Sequence, residues 1–231
     1  SNVQGQRTVG ITEDPAKVPV EKIESLFNFK VPQHKGRATV DTCEGILDGS
    51  VKGFIGLGGN FLRAVPDTDR IEPAWSQLTL NVQVATKLNR SHLLPGQHAW
   101  LLPCLGRIEQ DVQDGVTQVY STEDSTGCVH AWQGRSEPAG EQLRAEVAII
   151  AGIAQATLSG SERIPWEDWR RDYAKIRLAI SQVYPEIFHD MESRMLAALL
   201  TGVNRVRGVG VCAVVILVDV YVLVVAALAW L

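Results

Sequence analysis

The sequence predicts an α/β fold, with a doubly wound, Rossmann-like parallel sheet and helices on both faces. Two observations predict it. Short apolar runs that suit buried strands lie between segments with the apolar periodicity of amphipathic helices. Helix, strand, helix, strand and strand also follow one another at spacings that suit a parallel sheet covered on both faces.

Two helices are predicted before the first strand. Residues 20–29 follow Pro19 and place their apolar side chains on one face of a short helix. Residues 36–50 form the second helix, in which Thr39 can cap the start and Gly49 can end it. Residues 51–57 then form a strand that is too apolar on both faces for a sheet edge.

The later elements are predicted from the same patterns. Pro103 stops the third strand, and Pro165 lies in the first turn of the last helix. The predicted segments are helix 69–78, strand 79–85, strand 99–104, helix 141–158 and helix 164–184.

Composition excludes several classes of protein. The chain has 231 residues, a net charge of −4 and a pI near 5.7, which argue against broad nucleic-acid binding. Its four cysteines include no C-x-x-C pair, so we expect a reducing compartment. The polar start has no secretory signal, which favours the cytoplasm, and Ser1 is not a methionine, so it can be an internal residue.

Residues 209–231 differ in kind from the rest of the chain. They are almost continuously apolar, interrupted only by Asp219, and are long enough to span a hydrocarbon core of ~30 Å. We expect one domain over 1–204 and an apolar tail over 205–231. The abrupt change of composition favours a shifted reading frame, with an inner-membrane anchor as the alternative and a buried pair of strands third.

The glycine-rich stretch that follows the first strand is the strongest candidate for a site. Gly56 and Gly58 supply the first two glycines of a dinucleotide fingerprint, but Phe61 occupies the third position, and 76–82 contain no ribose-binding acid. A P-loop fails because no Lys-Ser/Thr pair follows. The stretch can also be a plain tight turn, with Gly58 and Gly59 at positive φ.

A longer pattern resembles the molybdopterin-dependent oxidoreductases of the DMSO reductase superfamily, especially the formate-dehydrogenase-like alpha subunits. Residues 54–92 resemble a strand, a G-E-N-P-like turn, a helix and a strand that ends V-x-Q. Residues 1–5 are similar to an N-x-Q-G segment, and 120–141 to a loop that starts G-T. The resemblance covers 1 to about 200, although Gly59 and Phe61 replace the usual glutamate and proline.

The resemblance implies a molybdopterin guanine dinucleotide cofactor that carries molybdenum or tungsten. Its nucleotide would lie at the carboxyl ends of the parallel strands, where backbone N–H groups at the glycine turn can meet the diphosphate. Arg90 can also donate to the diphosphate. The cofactor-binding residues that follow from the resemblance are Asn2, Gln4, Gly58, Gly59, Asn60, Gln83, Thr86, Lys87, Asn89 and Ser91.

The same resemblance implies that the chain is a fragment of an enzyme and is inactive alone. The metal-ligating residue, the cysteines of an iron–sulfur cluster and the catalytic arginine would lie upstream, so no catalytic residue and no metal ligand is assigned here. The full-length enzyme would act on formate or a similar small molecule, with a separate electron acceptor. Cys128 and His130 are interpreted as a structural loop pair, because no orienting acid is identifiable.

The alternative hypothesis is a non-enzymatic nucleotide-binding module of α/β fold. It would be tethered to a membrane through 209–231, the only segment that suggests membrane contact.

Overall fold

The computed structural model describes residues 3–124, 127–158, 160 and 163–200. They form two compact units. The first contains 36–106 and 140–146, and the second contains the described residues of 3–35, 107–139 and 147–200.

The bounds of the regular elements follow the chain order. The helices and strands are α1 (Val3–Thr8), α2 (Val20–Phe27), α3 (Thr39–Leu47), β1 (Gly53–Leu57), α4 (Phe61–Ala64), α5 (Thr68–Trp75), β2 (Leu80–Ala85), β3 (His98–Pro103), β4 (Val112–Gln113), β5 (Val116–Thr117), β6 (Tyr120–Glu123), β7 (Val129–Trp132), α6 (Glu146–Thr157), α7 (Trp166–Arg171), α8 (Tyr173–Val183), α9 (Pro185–Phe188) and α10 (Met191–Leu200). Single 3₁₀ turns form at Pro15–Lys17 and Arg90–His92.

The first unit contains a three-stranded parallel sheet flanked by helices, which confirms the predicted α/β class. The strand order is β1-β2-β3, so β2 is central, and its residues 81–85 are all buried. Ile55 pairs with Val82, and Val82 in turn pairs with Trp100. Parallel pairing brings the carboxyl ends of all three strands to one edge of the sheet.

The prediction that the first strand avoids a sheet edge is wrong for the part of the chain that the structure describes. β1 pairs only with β2 there, and its first residue, Gly53, is exposed. The apolar run did not predict the position of β1 in the sheet, because Phe54 packs against helices α4 and α5 rather than against a further strand. Its ring centroid lies 4.8 Å from that of Phe61 and 4.7 Å from that of Trp75.

An aromatic cluster forms the core beneath the glycine turn. Phe61 begins α4 and stacks on Trp75, with the ring centroids 5.6 Å apart. Trp75 is fully buried and donates its indole N–H to the carbonyl of Leu94 at 2.9 Å. Phe61 therefore occupies the position of the third fingerprint glycine because it packs there as a core residue, which no glycine could do.

The second unit combines helices with two antiparallel hairpins, β4–β5 and β6–β7, that the sequence analysis did not predict. Its core includes Tyr173, Ile176 and Phe188 on helices α8 and α9. The buried carboxylate of Asp111 accepts hydrogen bonds from the hydroxyls of Tyr173 and Tyr120. This unit is therefore held by a polar network as well as by apolar packing.

Several helix ends differ from prediction. α6 begins at Glu146 rather than 141. The predicted helix over 164–184 breaks at Asp172, which has extended backbone and accepts a hydrogen bond from the Ala174 N–H at 3.0 Å to cap α8. Thr39 is the first residue of α3 instead of its cap, while Gly49 follows the helix with a φ of +77°, as predicted.

The apolar tail at 209–231, and the predicted boundary between 204 and 205, lie outside the described residues. Within the part of the chain that the structure covers, no helix combines the length and the apolar character needed to cross a bilayer.

Candidate functional site

The candidate site lies at the carboxyl edge of the parallel sheet, where β1 and β2 end. The glycine turn, residues 58–60, follows β1, and the second loop, residues 86–92, follows β2. The Gly58 N–H donates to the carbonyl of Val84 at 2.8 Å, so the turn continues the β1–β2 pairing by one residue. Ligands of open α/β sheets bind at this kind of edge.

Two cross-links join the second loop to the glycine turn and to the start of α4. Asn89 donates its side-chain N–H to the carbonyl of Gly59 at 2.9 Å, and its side-chain oxygen accepts from the Ser91 N–H at 3.0 Å. The hydroxyl oxygen of Ser91 accepts from the Leu62 N–H at 3.2 Å, and Ser91 is 0% exposed. The structure therefore brings together five of the predicted site residues: Gly58, Gly59, Asn60, Asn89 and Ser91.

The two central glycines differ in their surroundings. Gly58 has a φ of +68°, a conformation that side chains of L residues rarely adopt. Gly59 has no positive φ, and a Cβ placed on it would have no other atom within 4 Å. Both glycines are exposed, so the turn presents bare backbone to solvent.

Gln83 lies in the sheet rather than at its outer edge. Its side chain is 4% exposed and donates to the side-chain oxygen of Asn81 at 2.8 Å. Its amide oxygen lies 2.5 Å from the point that a Cβ on Gly56 would occupy. Gly56 is therefore needed to make room for Gln83, and the expected contact between Gln83 and a nucleotide stays a prediction.

The polar residues of the second loop differ in their exposure and in their partners. Thr86 and Lys87 are exposed immediately after β2 ends. Arg90 instead forms two hydrogen bonds to the carboxylate of Glu72 on α5, at 2.7 and 2.5 Å. This pairing lowers the pKa of the Glu72 carboxyl. The guanidinium of Arg90 is thus engaged in tying the loop to α5.

Two buried polar atoms at this edge have no hydrogen-bond partner, namely the side-chain oxygen of Asn60 and Nε2 of His92. His92 accepts the Asn89 N–H at its Nδ1, 3.0 Å away, so the neutral ring carries its proton on Nε2. Burial lowers the pKa of His92, which favours this neutral form. The site therefore contains one unpaired acceptor and one unpaired donor.

Glu146 also lies at this edge, although its sequence context did not predict it. Its Oε1 lies 3.4 Å from the point that a Cβ on Gly58 would occupy, and both residues belong to the first unit. Glu146 opens α6 just before a long apolar run, a position where a carboxylate is common for helix stability alone. Only the fold reveals its proximity to the glycine turn.

Two predicted residues are not among those described at this edge. Asn2 lies outside the described residues, and Gln4 lies on α1 in the second unit.

The expectation that Cys128 and His130 have no orienting acid is wrong, while their interpretation as a structural loop pair stays a prediction. Nε2 of His130 lies 2.8 Å from a carboxylate oxygen of Asp124, and the other oxygen accepts the Cys128 N–H at 3.0 Å. Asp124 and Cys128 are four residues apart on either side of the turn between β6 and β7, a hairpin that the sequence did not predict. Among the described residues, no three His, Cys, Asp or Glu side chains are grouped to hold a metal ion.

The fold and the edge geometry define an α/β protein with a candidate ligand site at the carboxyl ends of parallel strands. No protein-family model matches the chain. It is 44% identical over 195 residues to "Protein YdeP" of Escherichia coli K12, which covers 84% of this chain and 25% of that protein. It is 43% identical over 185 residues to "Uncharacterized oxidoreductase Rv2900c" of Mycobacterium tuberculosis H37Rv, covering 80% of this chain and 24% of that protein.

"Protein YdeP" of Shigella flexneri is similar to the same extent as its E. coli K12 counterpart, at 44% identity over 195 residues. The chain spans about a quarter of the length of these curated relatives.

Proposed function

We propose that this chain forms part of an oxidoreductase and binds the guanine nucleotide end of a molybdopterin guanine dinucleotide. The observation that carries the proposal is the pair of loops at 58–60 and 86–92, joined by the hydrogen bond from Asn89 to the Gly59 carbonyl at the carboxyl edge of a parallel sheet. The relatives named as oxidoreductases support the class of enzyme. The motifs between 54 and 92 support the cofactor.

At this edge of the sheet, the exposed protein backbone and some of the side chains offer groups that can contact a nucleotide. Gly59 offers a surface on which a flat ring or sugar can approach the main chain without meeting a side chain. Asn60 offers an acceptor that has no protein partner, and Thr86 and Lys87 offer exposed donors. Asn89 and Ser91 would act indirectly, by holding the two loops in register.

The cofactor, when bound, would supply a molybdenum or tungsten centre for two-electron oxidation of formate or a similar small substrate. The residues of this chain would bind and orient the nucleotide end. The metal-ligating residue, an iron–sulfur cluster and the contacts to substrate and electron acceptor would lie in other parts of the full-length protein.

Guanosine 5′-monophosphate (GMP) binding tests the nucleotide part of the proposal. Ligand-observed NMR titration of the 231-residue chain should give roughly tenfold tighter binding of GMP than of AMP. Gly59→Val should weaken GMP binding by at least about tenfold, because the side chain covers the exposed backbone. Gly152→Val is the matched control, since a Cβ on this exposed glycine also has no atom within 4 Å.

Equal binding of GMP and AMP, or unchanged binding by the Gly59→Val variant, would overturn the assignment of the site. The metal is tested separately on the full-length protein that contains this segment. Purified after growth with molybdate or tungstate, it should contain stoichiometric metal by elemental analysis and release GMP on acid hydrolysis. Absence of both refutes the proposed cofactor.

A further inference from the structure

The side of β1 that faces away from β2 carries backbone groups with which no described residue pairs. β1 is the first strand in the order β1-β2-β3, and the part of the chain that the structure describes has no strand on its other side. The Leu80 N–H donates to the Lys52 carbonyl at 3.1 Å, and the Gly58 N–H donates to the Val84 carbonyl at 2.8 Å. Because the backbone groups of successive strand residues point to opposite sides, every second residue between these two points away from β2. This outer edge of β1 consists of Gly53, Ile55 and Leu57.

The outer edge of β1 lacks two features that keep further strands from pairing with a sheet. Residues 53–57, Gly-Phe-Ile-Gly-Leu, contain no charged residue and no proline. The outer edge of β3 differs, because Pro103 ends that strand and the Leu105 N–H just beyond it donates to the Arg144 carbonyl at 3.0 Å. β1 therefore offers a pairing surface for a strand, whereas the edge of β3 is closed at its carboxyl end.

The partner that suits this edge is a further parallel strand of the same polypeptide. The chain spans about a quarter of the length of its curated relatives, so a protein of that length has ample sequence outside these 231 residues. Sheets usually have about 4–6 strands, and parallel sheets have their strands buried. A second copy that paired through the same edge about a perpendicular twofold axis would instead add an antiparallel strand to a sheet whose described strands are all parallel.

A parallel strand at this edge would also change the surroundings of the glycine turn. Ligands of open α/β sheets bind outside the carboxyl ends of the strands, at the point where the strand order reverses. From β1 the described chain proceeds in one direction only, to β2 and then to β3. A strand on the other side of β1 would make the end of β1, where residues 58–60 lie, such a point. The loop after that strand would then lie beside the exposed turn.

We propose that the outer edge of β1 pairs with a parallel strand from another part of the full-length protein, and that the loop after this strand completes the nucleotide site. The glycine turn and the second loop form one wall of that site, and the loop of the added strand forms the other. The completion of the site rests on the proposed function, whereas the strand pairing does not.

Hydrogen exchange with residue-level fragmentation tests the strand pairing in the 231-residue chain and in the full-length protein. In the chain alone, the amides of Ile55 and Leu57 should exchange nearly as fast as those of an unstructured peptide, because only water binds them. In the full-length protein both should exchange at least about 100-fold more slowly. Ala99 is the matched control: it is exposed on β3 and points away from β2, since the neighbouring His98 N–H donates to the Thr79 carbonyl at 3.1 Å. Its exchange rate should change by less than about tenfold.

The same experiment identifies other occupants of the edge. Equal exchange rates of Ile55 and Leu57 in the two proteins overturn the inference. Protection in the 231-residue chain that increases with protein concentration assigns the edge to a second copy and also overturns it. Protection in that chain at every concentration assigns the edge to residues of the chain itself, with the same consequence.

Proline substitution tests the pairing through stability. Proline is tolerated on an edge strand where the N–H faces solvent, and it is excluded from the interior of a sheet. Ile55→Pro should therefore lower the urea midpoint of the full-length protein by more than that of the 231-residue chain. Ile55→Ala keeps the N–H and should lower both midpoints equally through the shorter side chain. Failure to fold of the full-length Ile55→Pro protein alone is the same result in its extreme form, and equal losses for Ile55→Pro in both proteins overturn the pairing.

GMP titration tests the completion of the site and separates it from the proposed function. The cofactor-free full-length protein should bind GMP at least about tenfold more tightly than the 231-residue chain does. Equal, GMP-selective affinities of the two proteins overturn the completion of the site. If neither protein prefers GMP to AMP, the proposed function fails, while amide exchange at Ile55 and Leu57 still decides the strand pairing.

Discussion

Gly58 has a φ of +68°, whereas its neighbour Gly59 has no positive φ and open space around the position of a Cβ. Alanine at 58 must adopt a left-handed backbone, which costs about 1–2 kcal/mol. Gly58→Ala should therefore lower the free energy of unfolding by that amount in urea titrations. Gly59→Ala should change it by less than about 0.5 kcal/mol, since exposed substitutions without strain have little effect.

Comparing the stabilities of Gly58→Ala and Gly59→Ala distinguishes a glycine that the backbone conformation requires from one that only leaves the backbone exposed. If the two variants are equally stable, the left-handed turn does not form in solution.

Ser91 is fully buried, and its hydroxyl oxygen accepts the N–H of Leu62 across 29 residues of sequence. Ser91→Ala leaves that N–H buried without a partner, which costs about 1–3 kcal/mol. We expect a lower urea midpoint with an unchanged dependence on urea concentration. Ser25→Ala, at an exposed serine on α2, should leave the midpoint where it is; a similar loss in both variants would contradict the role of this cross-link.

At the scale of elements, the 3₁₀ turn Arg90–His92 is expected to respond to pH. Burial lowers the pKa of His92 below its ordinary value of 6.5, and its Nδ1 accepts the Asn89 N–H only while that nitrogen is unprotonated. Because the folded pKa is the lower one, the stability contribution is fully present above pH 6.5 and is lost as pH falls toward the folded pKa.

The unfolding free energy should therefore fall below pH 6.5 more steeply in the wild type than in His92→Gln. The Asn89 amide resonance should shift over the same range as the hydrogen bond breaks. Gln97→Ala, at an exposed glutamine of the same unit, is the control and should keep the wild-type slope. Identical slopes in all three proteins would show that His92 titrates alike in both states.

The sequence was a good guide to elements whose pattern is local. β2 alternates apolar and polar residues from Leu80 to Val84, β3 is a short apolar run that ends at Pro103, and both form within one residue of the predicted bounds. The break at Asp172 was not predicted because the helical periodicity of its neighbours continues across it. The break forms because the Asp172 side chain accepts the Ala174 N–H and caps the start of α8. The short hairpin β4–β5 has two residues in each strand, too few for a periodic signal.

The candidate site, too, could be predicted from the sequence only where its residues follow from a local pattern. Gly58 to Asn60 and Asn89 to Ser91 could be predicted as neighbours because parallel strands bring successive loops to one edge. The burial of Gln83 could not, since it depends on the absent side chain of Gly56 on the neighbouring strand. The approach of Glu146 depends on a return of the chain more than 80 residues after Gly58, which no local pattern encodes.

At the scale of the whole molecule, the candidate site belongs to one unit. The glycine turn, the second loop and Glu146 all lie within 36–106 and 140–146. The core of that unit includes Ile71 and Trp75, whereas Ile176 and Phe188 belong to the core of the second unit. Each unit therefore has buried side chains whose truncation should act locally.

Hydrogen exchange followed by mass spectrometry tests this division. Ile71 is 1% exposed and Ile176 is 0% exposed, and truncating either to alanine should cost about 2–5 kcal/mol in its own unit. Ile71→Ala should speed exchange mainly in residues 36–106 and weaken GMP binding, because the loops of the site rest on that core. Ile176→Ala should speed exchange mainly in the second unit and leave GMP affinity within about twofold. If each variant instead speeds exchange equally throughout the described residues, the two units unfold as one cooperative structure, and the site depends on both.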